Sequence, residues 1–263
     1  MKRFLKRNHK KGKAPLTVDQ QISRRTAISF GLFFLANGAG VLGWRWLRNQ
    51  PLDGGLLGGI QEPLRDGLHT NEKIFKAGFN PTRLAKEYPT QQAVSNARVN
   101  GELGLNNAED TINWKLNVQK KDSSYLEISL EDIKKLPKTE VIYNFKCIEG
   151  WSQITWWGGV RLSDFLDHYG LAAEKQMQYI GLSTPDEEYY VGIDMPSALH
   201  PQTILCYEHN GKPLSMEHGF PLRLIIPVKY GIKSLKRVGL LFFDNDKPSD
   251  YWAERGYDYY SGL

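Results

Sequence analysis

Cysteine is scarce in this 263-residue sequence, which contains only Cys147 and Cys206. Two cysteines form at most one bridge, so a disulfide framework is excluded, while one bridge or two buried thiols stay open. The sequence has no C-x-x-C or H-E-x-x-H spacing, so the common zinc sites are excluded. It also lacks a haem-attachment motif and a dinucleotide-binding fingerprint. Any redox chemistry would therefore need another cofactor and a separate electron-transfer protein.

Acidic residues are nearly absent from the N-terminal 48 residues, which hold Asp19 and eleven Lys and Arg residues. The other 215 residues hold 23 basic and 28 acidic side chains, a net charge of −5, although the whole chain has +5. The basic character therefore belongs to the N-terminal arm. A main domain with net negative charge argues against nucleic-acid binding, which needs a basic surface.

The N-terminal arm has the layout of an export signal, because basic residues precede a short apolar run over 27–42. The adjacent Arg24 and Arg25 resemble a twin-arginine signal. Trp44 and Arg45 then follow, as is typical of a membrane interface. We favour an uncleaved anchor over residues 27–47, with a cleaved signal and a buried core helix as alternatives. The excess of basic residues before the run predicts a cytoplasmic N-terminus and an extracytoplasmic, periplasmic main domain.

The sequence suggests three parts: residues 1–48 as arm plus signal or anchor, 49–95 as a linker, and 96–263 as the main domain. Pro51 and four glycines (Gly54, Gly55, Gly58, Gly59) predict the linker. The main domain alternates short β-prone runs with few short helices, which predicts a strand-rich α+β fold. The predicted strands are 112–118, 141–147, 179–182, 189–191, 203–207, 222–226 and 238–243; the predicted helices begin at Ser129 and span 162–169.

Two segments are candidates for chemistry. Cys147 follows a β-prone run and enters a loop rich in Gly and Trp, where a thiol can face a cavity. Trp151, Trp156 and Trp157 flank that loop, either as a substrate funnel or as core packing. The second segment, 210–236, alternates β-runs with Gly and Pro turns that hold Arg, His and Lys. Such turns form anion-binding nests, although a plain hairpin with a basic rim fits the same pattern.

The second segment reads N-G-K-P-L, H-G-F-P-L-R and Y-G-I-K-S-L-K, and the first reads F-K-C-I-E-G-W-S. In order and spacing these blocks resemble the sulfite oxidase family of molybdopterin-dependent oxidoreductases, on the branch similar to the bacterial periplasmic methionine sulfoxide reductase catalytic subunits. The resemblance covers residues 96–263. It implies the strand-rich molybdopterin-binding fold of that family and a molybdenum–molybdopterin cofactor without an added nucleotide.

The same resemblance implies that Cys147 is the molybdenum ligand and the catalytic residue, since a soft thiolate suits such a centre. It also implies a set of cofactor-binding residues around it. These are Arg98, Asn100, Gly101, Thr184, His218, Arg223, Gly231, Ile232, Lys233, Ser234 and Lys236. Close relatives have Asn where this chain has His218, whereas sulfite oxidases commonly have His there. Cys206 has no counterpart and is predicted to pack in the core.

The resemblance implies oxygen-atom transfer or two-electron chemistry, with reduction of S-oxides such as free or protein-bound methionine sulfoxide as the first hypothesis. Sulfite oxidation by the same centre is the second hypothesis, and a non-catalytic pterin-fold binding module is the third. The electron partner would be a membrane haem protein or a soluble cytochrome. We expect no counterpart of the sulfite oxidase dimerisation domain after residue 243, so the chain is expected to be a monomer held at the membrane.

Overall fold

The computed structural model describes residues 16–53, 59–107 and 111–263. The basic residues of 1–15 and the predicted linker glycines Gly54, Gly55 and Gly58 lie outside these ranges. The chain divides into two compact units, Met1–Pro51 and Leu52–Leu263.

The first unit is described as one helix, α1 (Val18–Arg48), which opens with a capping box at Thr17. It is the one helix among the described residues that is long and apolar enough to cross a membrane, a test that a signal sequence also passes. No α1 residue is buried. The buried-core-helix alternative is therefore wrong, and a signal or an anchor remains.

The second unit contains four helices and ten strands among the described residues. The helices are α2 (Glu62–Gly78), α3 (Leu130–Lys134), α4 (Leu162–His168) and α5 (Met195–Ala198). The strands are β1 (Lys115–Gln119), β2 (Tyr125–Ser129), β3 (Lys138–Lys146), β4 (Ser152–Arg161), β5 (Tyr179–Ser183), β6 (Tyr190–Asp194), β7 (Ile204–His209), β8 (Lys212–Pro213), β9 (Arg223–Ile225) and β10 (Leu240–Asp244). The predicted strand-rich α+β class is confirmed.

The strands form two sheets. The first has the order β2-β1-β10-β5-β6 with one parallel pair, β1 with β10, and the second has the order β3-β4-β7-β8 with β9 added beside β7. A large apolar core includes Leu116, Phe165 and Leu241, and a smaller one includes Val141, Trp157 and Cys206. The smaller core lies beneath β3 and β4, the hairpin whose loop holds Cys147.

Several elements differ from the sequence-based prediction, and β2, β8 and α5 were not predicted at all. The strand predicted from Ile112 begins only at Lys115, and Ile112 is 68% exposed. The ten-residue strand β4 was not predicted, because the pair Gly158-Gly159 resembles a turn. Residues 59–95, predicted as linker, contain the 17-residue helix α2. The same stretch then contacts the second sheet, where Tyr88 N–H donates to Ile142 O at 2.9 Å.

Candidate active site

Cys147 is the first residue after β3 and begins the tight loop that joins β3 to β4. Its N–H donates to Trp151 O at 2.9 Å, and Gly150 N–H donates to Cys147 O at 3.1 Å. Gly150 has φ +88°, a left-handed conformation that favours glycine, so the sequence C-I-E-G-W suits this turn. The closed loop directs the thiol, which is 6% exposed, into a cleft.

The cleft has a cavity volume of about 160 Å³ and opens to solvent. All the predicted site residues line it except Thr184 and Lys233. The remaining lining residues are Ala97, Val99, Leu103, Phe145, Ile148, Glu149, Trp151, Gln153, Thr155, Trp157, Tyr189, Trp252 and Tyr257.

The loop 98–101 forms the side of the cleft nearest the thiol. Asn100 Nδ2 lies 3.8 Å from Cys147 Sγ, a weak hydrogen bond to sulfur. Lys236 Nζ donates to Asn100 O and to Gly101 O, each at 2.9 Å, and so ties this loop to the second motif segment. The Arg98 guanidinium stacks 4.9 Å from the Trp151 ring. The structure thus brings together residues that lie more than 130 positions apart.

Arg223 is buried in the wall of the cleft, 4% exposed. Its guanidinium donates to His218 O at 3.0 Å and to Ser234 O at 3.3 Å, and it stacks 4.5 Å from the Trp157 ring. Burial lowers the pKa of this guanidinium, yet an arginine stays protonated in a protein. The tryptophans near Cys147 were expected either to line a substrate funnel or to pack in the core. Trp157 does both, since it packs in the smaller core and lines the cleft.

Two histidines stack beside Arg223. The His209 and His218 ring centroids lie 4.7 Å apart with 20° between the planes, and Ser215 Oγ lies 2.8 Å from His218 Nδ1. Burial, then the positive charge of Arg223, lowers the pKa of His218. Burial and then His218 lower the pKa of His209 to about 4. At neutral pH the His209 imidazole is therefore uncharged.

The sequence analysis did not single out His209. This residue is the last of β7, directly before the Asn210-Gly211 turn. Extending the predicted strand 203–207 up to the Asn210-Gly211 turn would have placed His209 in the sheet. The contact between His209 and His218 depends on tertiary structure and could not be predicted locally.

Two predicted residues do not face the cleft. Lys233 is 1% exposed, forms an ion pair with Asp250 and donates to Gly192 O at 2.9 Å. The Thr184 hydroxyl donates to Asp186 Oδ1 at 2.6 Å and is enclosed by its own turn. Thr184 also lies against Gly104, where a Cβ would come within 2.3 Å of the Thr184 Cγ2. Both side chains support the cleft from behind.

Several buried polar atoms at the cleft make no hydrogen bond to any described residue. They include His218 Nε2, Arg223 Nε and Ser234 Oγ. Buried polar groups are normally paired, so unpaired ones that line a cavity indicate a polar ligand. Within the described ranges no group of three or more His, Cys, Asp or Glu could hold a metal. A metal at Cys147 would need its other ligands from a non-protein group.

The two cysteines differ in their surroundings. Cys206 is fully buried in the smaller core, and burial raises the pKa of its thiol to about 12. Such a thiol is inert, which confirms the prediction that Cys206 packs in the core. Both cysteines are free, so the alternative of a structural bridge is wrong.

Comparisons with known proteins identify the family. Residues 103–252 match the family described as oxidoreductase molybdopterin binding domain. The chain is 34% identical over 186 residues to an Azospira oryzae protein provisionally named protein-methionine-sulfoxide reductase subunit YedZ1, covering 70% of each chain. It is 31% identical over 173 residues to the protein-methionine-sulfoxide reductase catalytic subunit MsrP of Campylobacter jejuni, covering 59% of this chain and 58% of that one.

Among solved structures, the chain is similar to the sulfane dehydrogenase SoxCD of Paracoccus pantotrophus, with a TM-score of 0.46 and 20% identity. That similarity covers 51% of this chain and 39% of the other, too little for any conclusion about function. The family match alone spans more than half of the chain, including the Cys147 loop and the motifs of 210–236. The chain therefore belongs to the molybdopterin-binding oxidoreductases of the sulfite oxidase family.

Proposed function

We propose that the cleft holds a molybdenum–molybdopterin cofactor, without an added nucleotide, whose metal is bound by the Cys147 thiolate. The observation that supports this most directly is a single soft ligand beside buried polar atoms that have no protein partner. A thiolate prefers soft metals, and metal binding removes its proton. When bound, the cofactor supplies the two-electron, oxygen-atom chemistry of the reaction.

The residues of the cleft would bind and orient that cofactor. Arg223 and Lys236 bring positive charge for a phosphate, and Arg223 can offer its free Nε–H. The unpaired His218 Nε2 and Ser234 Oγ can pair with polar pterin atoms. Arg98, Asn100, Gly101, Gly231 and Ile232 complete the lining. Thr184 and Lys233 would act through the backbone that they hold in place.

The aromatic walls would exclude water and select the substrate. Trp151 stacks on Phe145 with centroids 6.1 Å apart, and Trp252 and Tyr257 line the same cleft. An apolar aromatic wall beside polar donors suits a thioether or sulfoxide side chain. With relatives named methionine-sulfoxide reductases, this supports reduction of S-oxides, free or protein-bound, as the activity.

We further propose that the protein acts outside the cytoplasmic membrane, in the periplasm, anchored by residues 27–47 within α1. The exposed apolar helix and the flanking Arg45 and Arg48 support this placement. A separate haem protein or cytochrome would exchange electrons with the centre.

The test is metal analysis of protein produced in a molybdenum-replete host, with Cys147→Ser compared against Cys206→Ser as the matched control. We expect about one molybdenum per chain in wild type and in Cys206→Ser, and a strongly reduced content in Cys147→Ser. A folded wild type without molybdenum would refute the cofactor assignment and leave a pterin-fold binding module. Unchanged molybdenum in Cys147→Ser would refute the ligand.

Two dye assays then decide the direction of the reaction. A sulfoxide reductase oxidises a reduced dye when methionine sulfoxide is added, whereas a sulfite oxidase reduces ferricyanide with sulfite. Activity in the first assay and none in the second is the expected result. The reverse result would assign sulfite oxidation.

A further inference from the structure

A second cavity, of about 670 Å³, lies beside the end of β3. Three pieces of chain enclose it: the end of α2 with residues 79–88, the end of β3, and residues 227–228 with the C-terminal residues 260–263. Backbone contacts fix these walls, since Glu87 bridges to Tyr143 and Leu263 N–H donates to Val228 O at 3.1 Å. We call this cavity the α2 groove.

The charged side chains that line the α2 groove are basic. Arg83, Lys86 and Lys146 line it, and no Asp or Glu does among the described residues. All three are exposed, and none forms a salt bridge within the part of the chain that the structure describes. Three like charges around one opening attract an anion.

The rest of the groove is apolar and incompletely covered. Ile74, Phe75 and Leu84 line it and are 62%, 44% and 55% exposed, respectively. Tyr143 and Tyr260 add aromatic surface. Large apolar side chains gathered around a cavity and left in contact with solvent mark an interaction site. A ligand that satisfies both features has an anionic head and an apolar tail.

We propose that the α2 groove binds an anionic phospholipid of the membrane in which α1 is anchored. The inference rests on the proposed anchoring, because only Asn49–Pro51 separate α1 from the second unit. The cations meet the headgroup, and the apolar side chains meet the acyl chains.

The site also has a structural connection to the active site. Tyr143, Asn144 and Lys146 line the groove, and the neighbouring residues Phe145 and Cys147 line the cleft. A lipid in the groove therefore packs against the strand that positions the thiol.

The test is native mass spectrometry of the full-length protein, titrated with dioctanoyl phosphatidylglycerol or with dioctanoyl phosphatidylcholine. We expect one phosphatidylglycerol per chain, bound at least tenfold more tightly than phosphatidylcholine. These short-chain lipids are soluble, so the titration works whether or not α1 remains attached. Equal binding of the two lipids, or binding of neither, overturns the proposal.

Variants then locate the bound lipid. Each basic side chain near an anionic lipid contributes roughly fivefold to affinity, so Arg83→Gln/Lys86→Gln/Lys146→Gln should weaken phosphatidylglycerol binding by at least about tenfold. The charge-preserving Arg83→Lys/Lys86→Arg should bind as wild type does, which separates charge from folding. A matched control makes the same charge change on exposed residues outside the groove: Lys121→Gln/Lys134→Gln/Lys212→Gln. Equal loss in this control overturns the site.

Other occupants give other results. Octanoate that competes at the same concentration as phosphatidylglycerol would assign a free fatty acid and refute the phospholipid. A dimer that the groove triple variant dissociates would assign a second copy of the chain. Molybdenum content measured on the same samples separates this proposal from the cofactor assignment, because lipid selectivity does not need the metal.

Discussion

The ion pair between Lys233 and Asp250 gives the sharpest test of what the motif residues do. In the family resemblance Lys233 holds the cofactor phosphate, whereas the structure buries its ammonium against Asp250 with both side chains at most 2% exposed. Asp250 also accepts from Gly192 N–H at 3.1 Å and from Ala253 N–H at 3.0 Å. The pair therefore joins β6, the turn at 231–233 and the C-terminal segment.

Removing one partner of such a pair leaves the other charge buried and unpaired, which costs about 3–5 kcal/mol. We expect this loss in the free energy of unfolding for Lys233→Met, measured by urea denaturation with tryptophan fluorescence. Asp250→Asn should lose a similar amount. The double variant Lys233→Met/Asp250→Asn should lose clearly less than the sum of the two, because neither buried charge then lacks a partner.

A loss of cofactor without a loss of stability in Lys233→Met would contradict the role of the ion pair. Suppose Lys233→Met unfolds at the wild-type urea concentration but purifies with much less molybdopterin. The ammonium would then bind the cofactor, and the ion pair with Asp250 would not describe the loaded protein. Additive losses in the double variant would likewise show that the two charges do not interact.

Three further predictions follow from buried ionisable groups. Burial lowers the pKa of Lys236 to about 8, so sulfate should bind the cofactor-free protein more weakly as pH rises through 8, and calorimetry of Lys236→Met should show no such dependence. Burial lowers the pKa of His209 from 6.5 to about 4, so this group should lower the free energy of unfolding by about 2 kcal/mol from pH 7 to pH 5. His209→Phe should show a smaller fall than wild type, since the lowered pKa of His218 still contributes. Glu72 is buried between Lys76 and Lys247, so Glu72→Gln should speed amide exchange in α2 relative to β4; unchanged exchange would contradict its role.

Much of the fold could be predicted because local sequence agrees with tertiary structure. The Ser129 side chain accepts from Asp132 N–H at 3.1 Å, as its capping pattern predicts, and α3 follows. The strand predicted over 141–147 is found as part of β3, which ends at Lys146, directly before Cys147. The cleft residues were found through the family resemblance, which the order and spacing of the motifs carry.

The elements that were missed depend on distant contacts. In β4, a Cβ at Gly159 would lie 2.1 Å from Leu205 O, so this glycine permits close approach of β7 at a β-bulge rather than a turn. α2 has few apolar residues and is held by ion pairs with Lys247 and by Arg65, partners that local periodicity does not reveal. Whether the Lys233 side chain faces the cleft or the protein interior likewise depends on the position of Asp250.

These contacts give the segment after α1 a role in the active site. Arg65 of α2 donates to Tyr257 O at 3.3 Å and to Ala253 O at 3.2 Å, and it also pairs with Asp53. Tyr257 lines the cleft, so the start of the second unit supports one wall of the cleft directly. Because Arg65 holds the backbone of this wall, a change at Arg65 should alter the cleft before it alters the core sheets.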